Sequence, residues 1–540
     1  MGFYLNSKTA YMLYRDMTKN PYFVDKTKIL KELIPPVDQG GEYICITRPR
    51  RFGKTIMANM IVSFFGKGED SRDVFDQLNI AKSDVYEKYR NQYDVIHISF
   101  NDVDMEEETY ESYIQSVKSV LKEDLRETFP ELNLSYGTSV IRDLLTVTMQ
   151  TGRRFLFVLD EWDYIFHQDF VTEEDKKKYL AFLRLLLKDK PYVQFAYMTG
   201  ILPIAKYSSG SELNMFSEYT MATEHRFSSY FGFREPEVDI LYDRYSINTL
   251  KEERHVSREG LKYWYDGYYT KSGERIYNPR SVVLSLTNNN LGNYWTSAGP
   301  YDEIFYYIKN NIADVRDSIA LMVSGIQVPV RIQEYAATSQ NLETKDEIFS
   351  AMVVYGFLSY EKGKVCIPNK ELMDKFDGLL QKERSLGYVY QLARASEKML
   401  EATLAGDTKT MAEILSLVHD TETPLLKYNN ETELTAVVNL VYLAAREFYR
   451  IEREEKAGVG YVDFIFYPEM DKNADCIILE LKVDASPEEA IEQIRCRKYA
   501  QRFQPKLGEK PIYTGRILAV GISYDRKEKV HRCRIEEVRL

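Results

Sequence analysis

Cysteine is scarce in this chain, with five copies in 540 residues (Cys45, Cys366, Cys476, Cys496 and Cys533). They are scattered, odd in number and form no C-x-x-C pair, so neither a zinc site nor a disulfide framework is expected. Long apolar runs are missing too, and none approaches the roughly 20 residues that span a bilayer. Met1 to Asn20 is polar and charged and does not read as a signal segment. Cytoplasmic location and no membrane partner are therefore expected. His97, His167 and His225 show no metal-ligand spacing. There is no internal repeat and no low-complexity stretch. Positive charge is in deficit, with 71 Lys and Arg against 82 Asp and Glu for a net charge of −11. That argues against a protein that coats nucleic acid generally. A local exception is Arg495, Arg497, Lys498, Arg502, Lys506, Lys510 and Arg516, opposed only by Glu509.

What is present is an ordinary globular composition, 44% hydrophobic and 28% charged, on a chain too long for one core. Its most informative stretch is Ile44-Cys45-Ile46-Thr47-Arg48-Pro49-Arg50-Arg51-Phe52-Gly53-Lys54-Thr55. A β-prone run ends in a basic loop, closes on Gly-Lys-Thr and leads into a helix-like segment, Ile56 to Phe65. That is the strand–loop–helix layout of a phosphate-binding P-loop. A nucleotide phosphate needs backbone N–H groups, a helix N-terminus, a lysine charge and a hydroxyl for Mg2+. Arg48 to Thr55 supply those groups, with Thr55 as metal ligand. The usual first glycine of the motif is absent, and Arg48 stands there.

About a hundred residues on, Arg154-Phe155-Leu156-Phe157-Val158-Leu159-Asp160-Glu161 reads as a buried parallel strand ending in two acids. Asp160 is the candidate Mg2+ ligand and Glu161 the candidate group that polarises the attacking water, a Walker B pair. The plainer alternative is a core strand ending in a solvated turn. A third strand, Val193 to Met198, ends at Thr199-Gly200. Thr199 reads equally as a γ-phosphate sensor and as a simple strand-end residue. Arg226 and Arg234 are candidates for an arginine finger, against the plainer reading of surface ion pairs.

Strand and helix signals alternate from Tyr43 to about Phe231, which predicts a parallel sheet covered on both faces. Before it, a short helix over Lys28 to Leu33 is expected to break at Pro35-Pro36. From about Glu235 the text turns helical and aromatic. Gly356 to Tyr360 and Val365 to Pro368 flank a turn between helix patterns, a winged-helix-like order. The fold class expected is α/β, with boundaries 1–234 for the P-loop domain, 235–330 for a helical lid, 331–420 for a winged-helix-like or helical linker and 421–540 for a final α/β domain.

That last domain carries a second constellation. A helix pattern over Glu431 to Glu455 is followed by strands Gly460 to Phe466 and Cys476 to Val483. As an antiparallel pair they can set Asp463, Glu480 and Lys482 side by side, with Glu480 and Lys482 on one face. Two carboxylates can hold Mg2+ or Mn2+, which generates hydroxide and neutralises phosphodiester charge. Lys482 can position the water. Glu431 is the candidate third ligand. Glu433 competes with it, although Asn430 and Glu433 also fit a capping box. The alternative is an exposed ion pair on a half-solvated sheet.

The whole chain resembles the predicted bacterial AAA-ATPase-like proteins with a C-terminal PD-(D/E)xK nuclease domain. The resemblance rests on Val24-Asp25-Lys26-Thr27, the Arg48 to Thr55 loop, Leu159-Asp160-Glu161, Trp264-Tyr265-Asp266-Gly267-Tyr268 and Tyr277-Asn278-Pro279. It continues through Ile367-Pro368-Asn369-Lys370, Asp463, Glu480-Leu481-Lys482 and Gln493-Ile494. In that family the missing first glycine is normal. The resemblance implies ATP binding at the N-terminus and a restriction-endonuclease-like fold at the C-terminus. The function expected is an ATPase coupled to a metal-dependent DNA nuclease. The alternative is an ATP-driven switch whose nuclease-like domain binds DNA or a partner without cutting. ATP, DNA and further copies of the chain are the candidate partners.

Overall fold

The computed structural model describes residues 2–103, 109–134, 139–204, 213–222, 224–295, 308, 315–323, 325–332, 342–382, 388–416, 431–457, 460–469, 471–504 and 513–539. The chain divides into two compact units. The first is Met1–Gly299 with Pro329–Glu371, and the second is Pro300–Val328 with Leu372–Leu540.

The first unit is built on a sheet of five strands: β1 (Glu42–Thr47), β2 (Asp94–Ser99), β3 (Phe155–Asp160), β4 (Val193–Gly200) and β5 (Ser217–Tyr219). All pairings are parallel and the order is β2-β3-β4-β1-β5. Every residue of β3 is buried, as its unbroken apolar text predicts. The helix Lys54–Phe65 packs on the sheet through Met57, Ile61 and Phe64. Strand β4 lies between the P-loop strand and the acid-bearing strand, so the three C-terminal tips come together at one edge.

The expected break at Pro35-Pro36 does not occur. The helix Ile29–Gln39 runs through both prolines. Ile29, Leu30, Leu33, Ile34, Pro36 and Val37 are buried on the core. That burial offsets a local cost on the order of 3 kcal/mol per interior proline. Beyond the sheet come the helices Glu235–Asn248, Arg258–Tyr265 and Pro279–Asn288. Between them sits a small antiparallel sheet of Phe233–Arg234, Arg275–Tyr277 and Tyr268–Tyr269, which the helical reading of this region did not include. The helix Lys345–Tyr355, the hairpin Ser359–Glu361 with Lys364–Cys366, and the helix Lys370–Lys382 follow in the expected order.

The second unit carries a mixed sheet of five strands in sequential order: β6 (Tyr449–Ala457), β7 (Gly460–Pro468), β8 (Cys476–Val483), β9 (Ile517–Asp525) and β10 (Val530–Val538). Only β8 and β9 pair in parallel, and the helix Pro487–Cys496 lies in the crossover that a parallel pair requires. The helix pattern read over Glu431 to Glu455 stops early. The helix ends at Val441, a 3-10 turn covers Leu443–Glu447, and Tyr449 begins a strand. Pairing of β6 along the whole of β7 overrides the helical preference of its charged residues.

Candidate nucleotide and metal sites

Gly53 closes the loop at φ 89° and starts the helix Lys54–Phe65, a backbone angle that favours glycine. Lys54 is buried, and its Nζ donates to the carbonyls of Arg48 (2.9 Å) and Pro49 (3.0 Å). Burial holds its pKa below the usual lysine value, opposed by the charges of Glu161, Asp163 and Asp160. Thr55 sits exposed in the first helical turn.

Arg48 has a different part from the one its place in the motif suggests. Its Nη1 donates to the carbonyls of Thr47 and Tyr219, both at 2.7 Å, and the guanidinium lies 5.0 Å from the Phe231 ring centre. Its side chain therefore ties β1 to β5, and the residue contributes backbone to the loop. Burial pushes its pKa down to about 10.

The rest of the loop is wrapped by later parts of the same unit. The Trp295 indole N–H donates to the Arg50 carbonyl at 3.1 Å. Phe52 is buried edge-on against Tyr268, with ring centres 5.0 Å apart, and the Tyr268 hydroxyl donates to the Gly356 carbonyl at 3.2 Å. A Cβ on Gly356 would stand 2.7 Å from Cβ of Pro49, and Gly356 holds φ 85°. Arg51 takes the left-handed angle φ 70°.

At the tip of β3, Asp160 is fully buried. Its Oδ1 accepts from the Thr199 hydroxyl at the tip of β4, and its Oδ2 is buried with no hydrogen-bond partner among the described residues. An orphaned carboxylate oxygen within electrostatic reach of a loop lysine suits a divalent cation or its water shell. Glu161 follows at φ 50°, uncommon for a residue with a side chain. Burial and the Asp160 charge raise its pKa, and Lys54 opposes them. Asp163 was not singled out by sequence. It accepts from the N–H groups of Ile201 (2.9 Å) and Leu202 (2.7 Å) and so fixes the turn after β4. The arginine-finger candidates are engaged locally. Arg234 pairs with Glu237 at 3.3 Å, and Arg226 donates to the Tyr219 hydroxyl (3.0 Å) and the Glu32 carbonyl (3.3 Å).

In the second unit, Asp463, Glu480 and Lys482 come together. β7 and β8 pair at Phe464 with Leu479, and the ladder opens just beyond. There the Leu481 N–H donates to Oδ2 of Asp463 at 2.7 Å, and the Asp463 N–H reaches Oε2 of Glu480 at 3.4 Å. Lys482 Nζ lies 3.3 Å from Oε1 of Glu480, and the Gln493 amide donates to the same oxygen. Glu480 is buried. That burial, then the Asp463 charge, pushes its pKa up to about 7, with Lys482 opposing. Two carboxylates and a lysine suit a cation held beside a phosphodiester. Among the described residues no third His, Cys, Asp or Glu completes a metal cluster. The side chains of Glu431 and Glu433 lie outside the described residues. Tyr499 stands on a 3-10 turn past the end of the helix that carries Gln493, 3.4 Å from the Gln493 amide. The basic stretch is partly neutralised, since Arg495 pairs with Glu536 and Arg516 with Asp475 at 2.5 Å. Its Lys506, Glu509 and Lys510 lie outside the described residues.

These two sites fall within two family matches. Residues 13–209 match the family described as predicted AAA-ATPase, and residues 430–532 match the PD-(D/E)XK nuclease superfamily. The chain thus carries an N-terminal region that matches the predicted AAA-ATPase family and a C-terminal region that matches the PD-(D/E)XK nuclease superfamily. An uncharacterized protein from the vnfD 5′ region of Azotobacter chroococcum mcd 1 is 27% identical over 285 residues, 52% of this chain and 51% of that protein. The chain thus spans about half the length of that relative. Among solved structures, a Walker-type ATPase of Pyrococcus abyssi matches with a TM-score of 0.37 and 12% identity, over 66% of this chain and 96% of its own. The ORC2 protein of Aeropyrum pernix matches at 0.31 and 10%, over 69% and 94%. Both likenesses are slight, and the fold rests on the strand order given above. Among the described residues no helix is long and apolar enough to cross a membrane.

Proposed function

We propose that the N-terminal domain binds and hydrolyses ATP with Mg2+, and that this activity governs a metal-dependent DNA nuclease at the C-terminus. The boundaries at 234, 330 and 420 belong to the same proposal. Lys54 holds the β- and γ-phosphates, Thr55 and Asp160 take the cation, Glu161 orients the attacking water and Thr199 reports on the γ-phosphate. In the nuclease domain Asp463 and Glu480, with Glu431 as the candidate third acid, hold Mg2+ or Mn2+. Lys482 positions the water beside the scissile phosphate. The cation, when bound, supplies a hydroxide and offsets phosphodiester charge.

The observation that carries the ATPase part is the buried Oδ2 of Asp160, without a hydrogen-bond partner among the described residues and within electrostatic reach of Lys54. ATP titration into wild type and Lys54→Ala tests it. The variant is expected to bind about a hundredfold more weakly or worse, because the phosphates lose a desolvated cation. Equal binding would overturn the P-loop assignment. A second reading, a switch that binds DNA or a partner without cutting, draws on the described pair of acids at the C-terminal site, where Leu481 N–H and Gln493 already occupy carboxylate oxygens. Metal titration of wild type against Asp463→Asn separates the two, since the switch reading needs no cation there.

A further inference from the structure

Glu371 is buried in the first unit, far in sequence from the P-loop, and takes no part in the function proposed above. Three donors converge on its carboxylate. The Ser281 hydroxyl lies 3.0 Å from each oxygen, and the backbone N–H groups of Tyr294 (2.6 Å) and Trp295 (2.7 Å) donate to Oε1. Its own carbonyl accepts from the Asn293 amide at 2.8 Å. The segment Asn293–Trp295 is therefore held by this one residue at three successive positions. The side chain at the end of that segment is the Trp295 indole, whose N–H meets the Arg50 carbonyl of the P-loop. Trp295 also packs edge-on against Phe357, with ring centres 5.5 Å apart.

The peptide geometry gives this contact a consequence. No described peptide bond is cis. In a trans peptide the C=O and the next N–H point opposite ways. The bond from Trp295 to the Arg50 carbonyl therefore fixes the plane of the whole Arg50–Arg51 peptide. Arg51 holds a left-handed backbone angle, and its charge also acts on Glu371. The loop lacks the usual first glycine, with Arg48 in that place, and is held from outside through Trp295. Burial costs are high for such a support, and Glu371 is pushed up to about 7 by its surroundings in spite of its donors. A buried acid kept at that cost, with its donors on the segment that reaches the P-loop, is more than filler of the core.

We propose that Glu371 is a positioning residue for nucleotide binding, acting through Trp295 to orient the Arg50–Arg51 peptide of the P-loop. This rests on the P-loop reading above. Glu371 is also the last residue of the first unit before the chain passes into the second.

Calorimetric titration of ATP with Mg2+ into the full-length chain tests this, using wild type, Lys54→Ala, Glu371→Gln, Trp295→Phe and the double variant Glu371→Gln/Trp295→Phe. Trp295→Phe keeps an aromatic ring against Phe357 and removes only the indole donor. Each of the two single variants is expected to weaken ATP about three- to tenfold, the scale of one lost hydrogen bond. The double variant is expected to bind no more weakly than the weaker single, because both changes act on one peptide. A merely structural role would lower the melting temperature of Trp295→Phe and leave its ATP affinity at the wild-type value. That result, or additive losses in the double variant, overturns the proposal while Lys54→Ala still fails to bind. If Glu371→Gln does not fold, Trp295→Phe decides alone. Wild-type binding by Lys54→Ala overturns the P-loop reading instead, and this proposal with it.

Discussion

The Thr199 hydroxyl donates to Oδ1 of Asp160, joining the tips of β4 and β3 below the P-loop. The other oxygen of Asp160 is buried, with no hydrogen-bond partner among the described residues. Thr199→Val keeps the shape and removes the donor, so Oδ1 of a buried carboxylate loses its protein partner as well. The expected loss is about 1–3 kcal/mol of stability. ATP binding should persist and hydrolysis should fall, because the acid loses its fixed orientation. Denaturant unfolding together with phosphate release reads both effects.

Arg48→Gly restores the glycine that the common P-loop pattern carries, and the variant is expected to be worse, not better. The guanidinium bonds two carbonyls and stacks on Phe231 in a buried position. Removing it leaves the Tyr219 carbonyl unpaired and opens a cavity, at a cost of more than about 2 kcal/mol. ATP affinity should not improve. Denaturant midpoints and an ATP titration of the variant check this.

Much of the architecture was legible in the text of the chain. Apolar runs gave β1, β3 and β4 with their chemistry-bearing tips, and period-two spacing put Glu480 and Lys482 on one face. These are local signals. Asp163, Glu371 and the side chain of Arg48 are different. Each takes its meaning from a partner brought close only by folding, such as Ile201 for Asp163 and Trp295 for Glu371. The helix through Pro35-Pro36 and the early start of β6 were missed for a related reason, since burial and strand pairing overrode local propensity there.

Glu480 sets a pH dependence at the C-terminal site. Burial and Asp463 push its pKa up to about 7. Its proton must leave before the carboxylate holds a cation, so affinity for Mn2+ should rise with pH up to about 7 and level off above it, by about tenfold per unit on the rising side. The same shift makes a neutral Glu480 the favoured folded form. Its contribution to stability is full below the unfolded value of 4.5 and is lost as pH rises toward about 7. Glu480→Gln should abolish the pH dependence along with most of the binding. Calorimetric Mn2+ titrations across that range check both statements.

The most direct test of the account is cleavage of plasmid and single-stranded DNA in Mg2+ or Mn2+, with and without ATP, by wild type, Lys54→Ala and Lys482→Ala. Wild type is expected to cut in an ATP-dependent way, with cutting lost in Lys482→Ala and no longer responsive to ATP in Lys54→Ala. Cutting that survives in Lys482→Ala, or no cutting by wild type under any of these conditions, would contradict it.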